Sequence, residues 1–173
     1  MTDRGHGGPV IGIVGWKNNG KTTLVVRLVE WLTARRLRVS TIKHAHHRVD
    51  IDKPGKDSYR HREAGATEAV LATAARFAIV HELRGAPEPA LEELLARMSP
   101  VDLVIVEGFK RFSHPKIETH LAERGTPLIA HDDPSVVAVA TDAAALVLDR
   151  PVLDLNDIEA VGRFVLGQAG IGP

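Results

Sequence analysis

Gly15-Trp16-Lys17-Asn18-Asn19-Gly20-Lys21-Thr22-Thr23 decides the fold of this 173-residue chain. It reads G-x-x-x-x-G-K-T, the phosphate-binding P-loop. The apolar run Val10 to Val14 leads into it, and the amphipathic run Leu24 to Leu32 leads out. A strand before and a helix after are the context a P-loop requires. Glycines let the backbone bend around an anion, so that successive N–H groups and the positive end of the helix dipole converge on phosphate. Lys21 is expected to reach the β- and γ-phosphates, and the Thr22 hydroxyl to ligate Mg²⁺. Gly15, Lys17, Asn18, Asn19, Gly20, Lys21, Thr22 and Thr23 are the nucleotide-binding candidates.

Composition narrows the class. The apolar fraction is 44% and the formal net charge is zero. That is a globular composition, with no long-range attraction to nucleic acid or to an anionic membrane. The absence of cysteine excludes disulfides and thiolate metal sites and fits a reducing cytoplasm. No apolar run is long enough to span a bilayer, and Met1 to Gly8 lacks the apolar segment of a secretory signal. Residues 1–8 are expected to be a frayed tail, and residues 9–173 a single domain.

Apolar periodicity supplies the remaining elements. Val10 to Val14 and Leu103 to Val106 are apolar on both faces and read as buried central strands. Leu24, Val25, Leu28, Val29 and Leu32 fall at helical spacing on a helix from about Lys21 to Arg35. Val39 to Lys43, Val70 to Thr73, Phe77 to His81, Ile117 to Leu121, Leu128 to Ala130, Val136 to Ala140 and Pro151 to Leu153 read as further strands. Ser58 is placed as the cap of a short helix through Ala64, Ala90 to Met98 as a helix, and Asp157 as the start of a last helix through Leu166. Helices alternating with apolar strands give an α/β fold with three layers: a mostly parallel central sheet flanked by helices. Ligands of such sheets bind beyond the carboxyl ends of the strands, where the P-loop, Glu107 and Asp142 all fall.

Phosphoryl chemistry on a P-loop needs an acidic group for the metal or for water. Asp102 begins the fully apolar strand and Glu107 ends it; only Glu107 lies at the P-loop end. Asp52 and Asp57, in the charged loop after Lys43, are further candidates for Mg²⁺ or water positioning. A solvated acidic loop is the bland alternative. A carboxylate after a strand can accept both guanine N–H groups, which nominates Asp142 for the base, although Asp also caps turns. His44, His46, His47 and His61 invite a transition-metal reading, but H-x-H-H is not a closed-site spacing.

Taken together these residues resemble the MobB family of molybdopterin-guanine dinucleotide biosynthesis adaptors. The resemblance is carried by the P-loop, Ile42 to His47, Asp52-Lys53-Pro54-Gly55-Lys56-Asp57-Ser58, Arg60 to Ala66, Val106 to Lys110, Pro115 to Glu118 and Ala138 to Asp142. The segment Asp52 to Ala66 is far more specific than the P-loop. The resemblance implies a homodimeric GTP-binding protein of the SIMIBI group of P-loop proteins, and the cysteine-free sequence adds a cytoplasmic location as an expectation. It also implies weak GTPase activity with GTP and Mg²⁺ as cofactors, and partnership with a MobA-like guanylyltransferase that joins GMP to molybdopterin. His44, His46, His47, Lys56, Arg60, His61 and Lys110 are then candidates for contact with molybdopterin, its guanine dinucleotide or the partner. Many relatives in that wider group carry a signature lysine at the second P-loop position, which is Trp16 here; that argues against giving Lys17 the trans-acting role. The rival readings are a metallochaperone-type GTPase, a small-molecule kinase on the same P-loop, and a pure binding module.

Overall fold

The computed structural model describes residues 8–45 and 54–172. They fall into two compact units, one of Met1–His44 with Leu91–Pro173 and one of Ala45–Ala90.

The first unit is built on a six-stranded sheet of β1 (Val10–Val14), β2 (Val39–Lys43), β5 (Leu103–Glu107), β6 (Lys116–His120), β7 (Val136–Thr141) and β8 (Val152–Asp154). Its order is β2-β5-β1-β6-β7-β8, and every pairing is parallel. The expected mostly parallel sheet is therefore parallel throughout in this unit. The helices are α1 (Lys21–Thr33), α3 (Leu91–Ala96) and α4 (Ile158–Ala169).

Strand periodicity sorts the core into layers. Ile11, Ile13, Leu103 and Ile105 turn to one face, where they meet Leu24, Leu28 and Leu32 of α1 and Val161 and Val165 of α4. Val104 and Val106, one residue out of phase, meet Leu91, Leu94 and Leu95 of α3 on the other face. A strand buried on both sides has no polar alternation, which is why β1 and β5 read as continuous apolar runs. Each fully buried leucine of the α1 stripe contributes about 1.5–3 kcal/mol by leaving water. The helices themselves meet closely: a Cβ on Gly162 of α4 would lie 2.5 Å from the Trp31 ring of α1.

α4 starts as expected, with the Asp157 carboxylate accepting from the Ala160 N–H at 2.9 Å. The 128–130 segment does not form the expected strand. It is a single 3-10 turn, Ile129–His131, as is Ala122–Arg124. The buried Glu118 carboxylate of β6 makes the first of these turns, accepting the N–H groups of Ile129 and Ala130 at 2.9 and 2.8 Å.

The second unit holds α2 (Asp57–Glu63) and a hairpin of β3 (Glu68–Ala72) and β4 (Phe77–His81). The expected Ser58 cap is corrected: Lys56 occupies the N-cap, and Asp57 already belongs to the first turn. An acidic residue there suits the helix dipole, so the helix starts two residues earlier than expected. Arg62 is buried in this unit, paired with Glu82 and lying 5.2 Å from the Tyr59 ring centroid.

Candidate functional site

β1 lies at the centre of the sheet, between β5 and β6, where the strand order reverses. The loop leaving its carboxyl end therefore opens on the crevice such folds use for ligands. Gly15 passes so close to β6 that a Cβ would fall 2.6 Å from the Thr119 carbonyl oxygen. Gly20 takes φ 80° as the N-cap of α1, and no side chain caps that helix. The first-turn N–H groups of α1 are thus left for an anion. A cavity of about 420 Å³ stands over them, lined by Lys17, Asn18, Gly20, Lys21, Thr22 and Thr23, with Glu107 and Leu121 opposite.

Lys21 folds back over the loop, its Nζ donating to the Trp16 carbonyl at 2.7 Å. Burial lowers its pKa, Lys110 and Lys43 add to the fall, and Glu107 opposes it. Positive charge is thus gathered where phosphate would bind. The acidic corner lies beside it. The Thr22 hydroxyl donates to Glu107 Oε1 at 2.8 Å, and the Lys43 ammonium sits 3.1 Å from the same carboxylate oxygen. Two hard oxygens at one phosphate cradle are the donor set that Mg²⁺ takes in P-loop sites, so the residues fit that ion. Asp102, at the other end of β5, is paired with Arg38 at 3.0 Å. A slightly larger cavity of about 470 Å³ opens at that amino end, between Pro9, Leu37, Val101 and Ile171, and shares none of this chemistry.

The P-loop is also fastened to the chain that follows β6. Trp16 Nε1 donates to the Pro127 carbonyl at 2.6 Å. Asn19, fully buried, accepts from the Leu121 N–H at 2.9 Å and donates to the Thr126 hydroxyl at 3.3 Å. Asp142 is tied in from β7, its Oδ1 accepting from the Ala122 N–H at 2.7 Å.

The structure brings together the P-loop candidates, Thr22 and Glu107, and sets Asp142 against the loop that carries Leu121. Lys110 lies with its Nζ 4.1 Å from the Trp16 ring centroid, and burial lowers its pKa while Glu118 opposes the shift. His44 packs its ring 4.6 Å from that of Phe109. Gly108, at φ 93°, makes this approach possible, since a Cβ would meet the His44 Cβ at 3.1 Å. Lys56, Asp57, Arg60 and His61 belong to the second unit, exposed on or beside α2. His46, His47 and Asp52 lie outside the described residues. Lys43 and Leu121 escaped the sequence reading. Lys43 carried a partial signal, as a charged residue at the carboxyl end of a β-branched strand.

Known proteins resemble this chain in sequence and in fold. The family model "Molybdopterin guanine dinucleotide synthesis protein B" matches residues 10–142. The chain is 44% identical over 160 residues to the molybdopterin-guanine dinucleotide biosynthesis adapter protein of Haemophilus influenzae, spanning 91% of this chain and 87% of that one. It is 41% identical over 163 residues to the adapter protein of the same name from Escherichia coli, spanning 91% of each. Among solved structures, a molybdopterin-guanine biosynthesis protein B superposes with a TM-score of 0.70 at 25% identity, over 91% of this chain and 98% of that one. Bacillus subtilis MobB shares the fold, with a TM-score of 0.72 at 23% identity over 92% and 97% of the two chains. The chain belongs to the MobB family of molybdopterin-guanine dinucleotide biosynthesis adapter proteins.

Proposed function

We propose that this chain binds GTP with Mg²⁺ at the P-loop and works as an adapter beside a MobA-like guanylyltransferase that makes molybdopterin guanine dinucleotide. The observation that carries the nucleotide part is the Thr22–Glu107 pair, 2.8 Å apart at the mouth of the P-loop cavity. The adapter part rests on the relatives at 44% and 41% identity. In this reading the α1 N–H groups and Lys21 hold the phosphates, while Thr22 and Glu107 hold the metal. Bound Mg²⁺ would neutralise charge on the β- and γ-phosphates. Asp142 reads the guanine edge from its place beside the Leu121–Ala122 backbone. Hydrolysis is slow and secondary, with Asp52 and Asp57 as the acidic residues that position water.

The proposal includes a cytoplasmic location, which fits a cysteine-free sequence. It also includes a homodimer. Val70, Leu71, Phe77 and Ile79 of the β3–β4 hairpin expose large apolar side chains, and a second copy of the chain is the proposed cover. Molybdopterin or its guanine dinucleotide is the proposed cargo of His44, His46, His47, Lys56, Arg60, His61 and Lys110. Among the described residues no helix is long and apolar enough to cross a membrane.

Co-purification with the guanylyltransferase, with and without GTP, tests the adapter role, and equilibrium binding of GTP against ATP tests the site. Retention of the partner together with loss of GTP binding in Lys21→Ala is expected. Absence of the partner under both nucleotide conditions would reject the adapter role. Transfer of label from γ-labelled GTP to a pathway intermediate, rather than to free phosphate, would point to a kinase instead.

A further inference from the structure

The acidic corner of the P-loop already holds a cation, and the chain supplies it. Lys43 is the last residue of β2 and pairs in register with Glu107, the last residue of β5. Its Nζ lies 3.1 Å from Glu107 Oε1 and 3.3 Å from the Thr22 hydroxyl oxygen. These are the two oxygens that the proposed function assigns to Mg²⁺. The Glu107 side chain is 10% exposed, whereas that of Lys43 is 58% exposed. A carboxylate so enclosed needs a positive partner or its burial is costly. The partner itself stands at the solvent edge on a flexible stem, free to swing outward. An ammonium and a divalent ion brought to the same carboxylate repel each other strongly at contact distance, so the two compete for it.

We propose that Lys43 is the resident cation of this corner. It neutralises Glu107 while the metal is away and is expelled when a divalent metal arrives with nucleotide, so it sets the metal affinity of the site. The inference rests on the Mg²⁺ reading of Thr22 and Glu107, and it goes beyond that reading by naming what the metal must displace. A lysine that merely oriented the carboxylate would have the opposite effect: its loss would weaken metal binding.

Mn²⁺ is a suitable probe, because its unbound form is read directly by electron paramagnetic resonance. It would be titrated into the full chain with saturating GDP, using wild type, Lys43→Met, Lys43→Arg and Glu107→Gln. Metal-free melting curves would confirm that each variant is folded. Lys43→Met is expected to bind Mn²⁺ about tenfold more tightly at low ionic strength, with the gap narrowing as salt screens the charge. Lys43→Arg, which keeps the charge, is expected to stay within about twofold of wild type. Equal or weaker Mn²⁺ binding by folded Lys43→Met would overturn the proposal. Wild-type Mn²⁺ affinity in Glu107→Gln would instead overturn the metal site itself, so the two failures are told apart.

Discussion

The Thr22 hydroxyl donates to Glu107 Oε1 at 2.8 Å, joining the first turn of α1 to the carboxyl end of β5. In the parallel sheet, β5 is the neighbour of β1, so the two oxygens are delivered to one side of the P-loop by the strand order alone. Thr22→Val removes the first, and Glu107→Gln removes the charge on the second. Each is expected to weaken GTP binding in Mg²⁺ by at least about tenfold, or about 1.4 kcal/mol. With the metal chelated, both variants should match wild type. Calorimetric titration in Mg²⁺ and in chelator checks this; equal losses under both conditions would mean that the residues serve the fold of the loop rather than the metal.

Asn19 sits inside the P-loop yet serves the loop after β6. It is fully buried and bonded to both Leu121 N–H and the Thr126 hydroxyl. Asn19→Ala would strand the Leu121 N–H without its acceptor, at a cost of about 1–3 kcal/mol. The urea midpoint is expected to fall with an unchanged slope, since the surface exposed on unfolding is the same. An unchanged midpoint would show that the two loops are not coupled through this side chain.

How far this arrangement is legible in the sequence depends on the range of each interaction. β1, β5 and α1 declare themselves because burial on both strand faces, and on one helix stripe, writes a local apolar period. The 128–130 stretch misleads for the same reason. Leu128 and Ala130 are buried as a strand's residues would be, but Glu118, on another strand, bends the backbone there into a turn. Glu107 could be chosen over Asp102 from sequence, because the polarity of a parallel strand says which end faces the P-loop. The Lys43–Glu107 pair could not be found that way, since it depends on β2 lying beside β5, which chain order does not reveal.

Asp142 is proposed to read guanine, yet its Oδ1 also holds the Ala122 N–H at 2.7 Å. Asp142→Asn keeps an acceptor for Ala122 but replaces a carboxylate oxygen by a donor, which would face the guanine N–H groups. Its preference for GTP over ATP is expected to fall at least about tenfold, equal to about 1.4 kcal/mol. Its thermal stability should change little. Competition binding of the two nucleotides gives the ratio. An unchanged ratio would reduce Asp142 to an anchor for the Leu121–Ala122 backbone.

Phe77 and Ile79 are 70% and 57% exposed on β4. Val70 pairs with Ile79 and Ala72 with Phe77, so these residues share one face of the hairpin. Replacing an apolar anchor by a charge at the centre of such a face removes contact area and leaves an unpaired carboxylate. Phe77→Asp is expected to convert the proposed homodimer to monomer at micromolar concentration, measured by sedimentation equilibrium. A wild-type chain that is already monomeric, or a dimer indifferent to Phe77→Asp, would remove this face as the contact.

His114 is expected to make the stability of the fold sensitive to mild acid. It lies against β1, where a Cβ on Gly12 would come 2.5 Å from its Nε2. Among the described residues neither of its ring nitrogens has a hydrogen-bond partner. Burial depresses its pKa to about 4, nearby Lys116 adds to the fall, and Asp133 and Glu92 only partly oppose it. The unfolded chain takes up the proton near the ordinary value of 6.5, whereas the folded chain holds it off until about 4. Stability is therefore present in full above about pH 6.5 and drains away between there and pH 4, where the folded state protonates too. Asp133 behaves differently. Burial raises its pKa, but hydrogen bonds from Ser135 and Lys116 outweigh burial and hold it below 3.8, so its contribution is lost only in stronger acid. Urea unfolding at intervals between pH 7 and pH 4 is expected to show a falling midpoint in wild type. The neutral variant His114→Gln should be nearly flat over that window. A variant that falls as steeply as wild type would assign the acid sensitivity to another group.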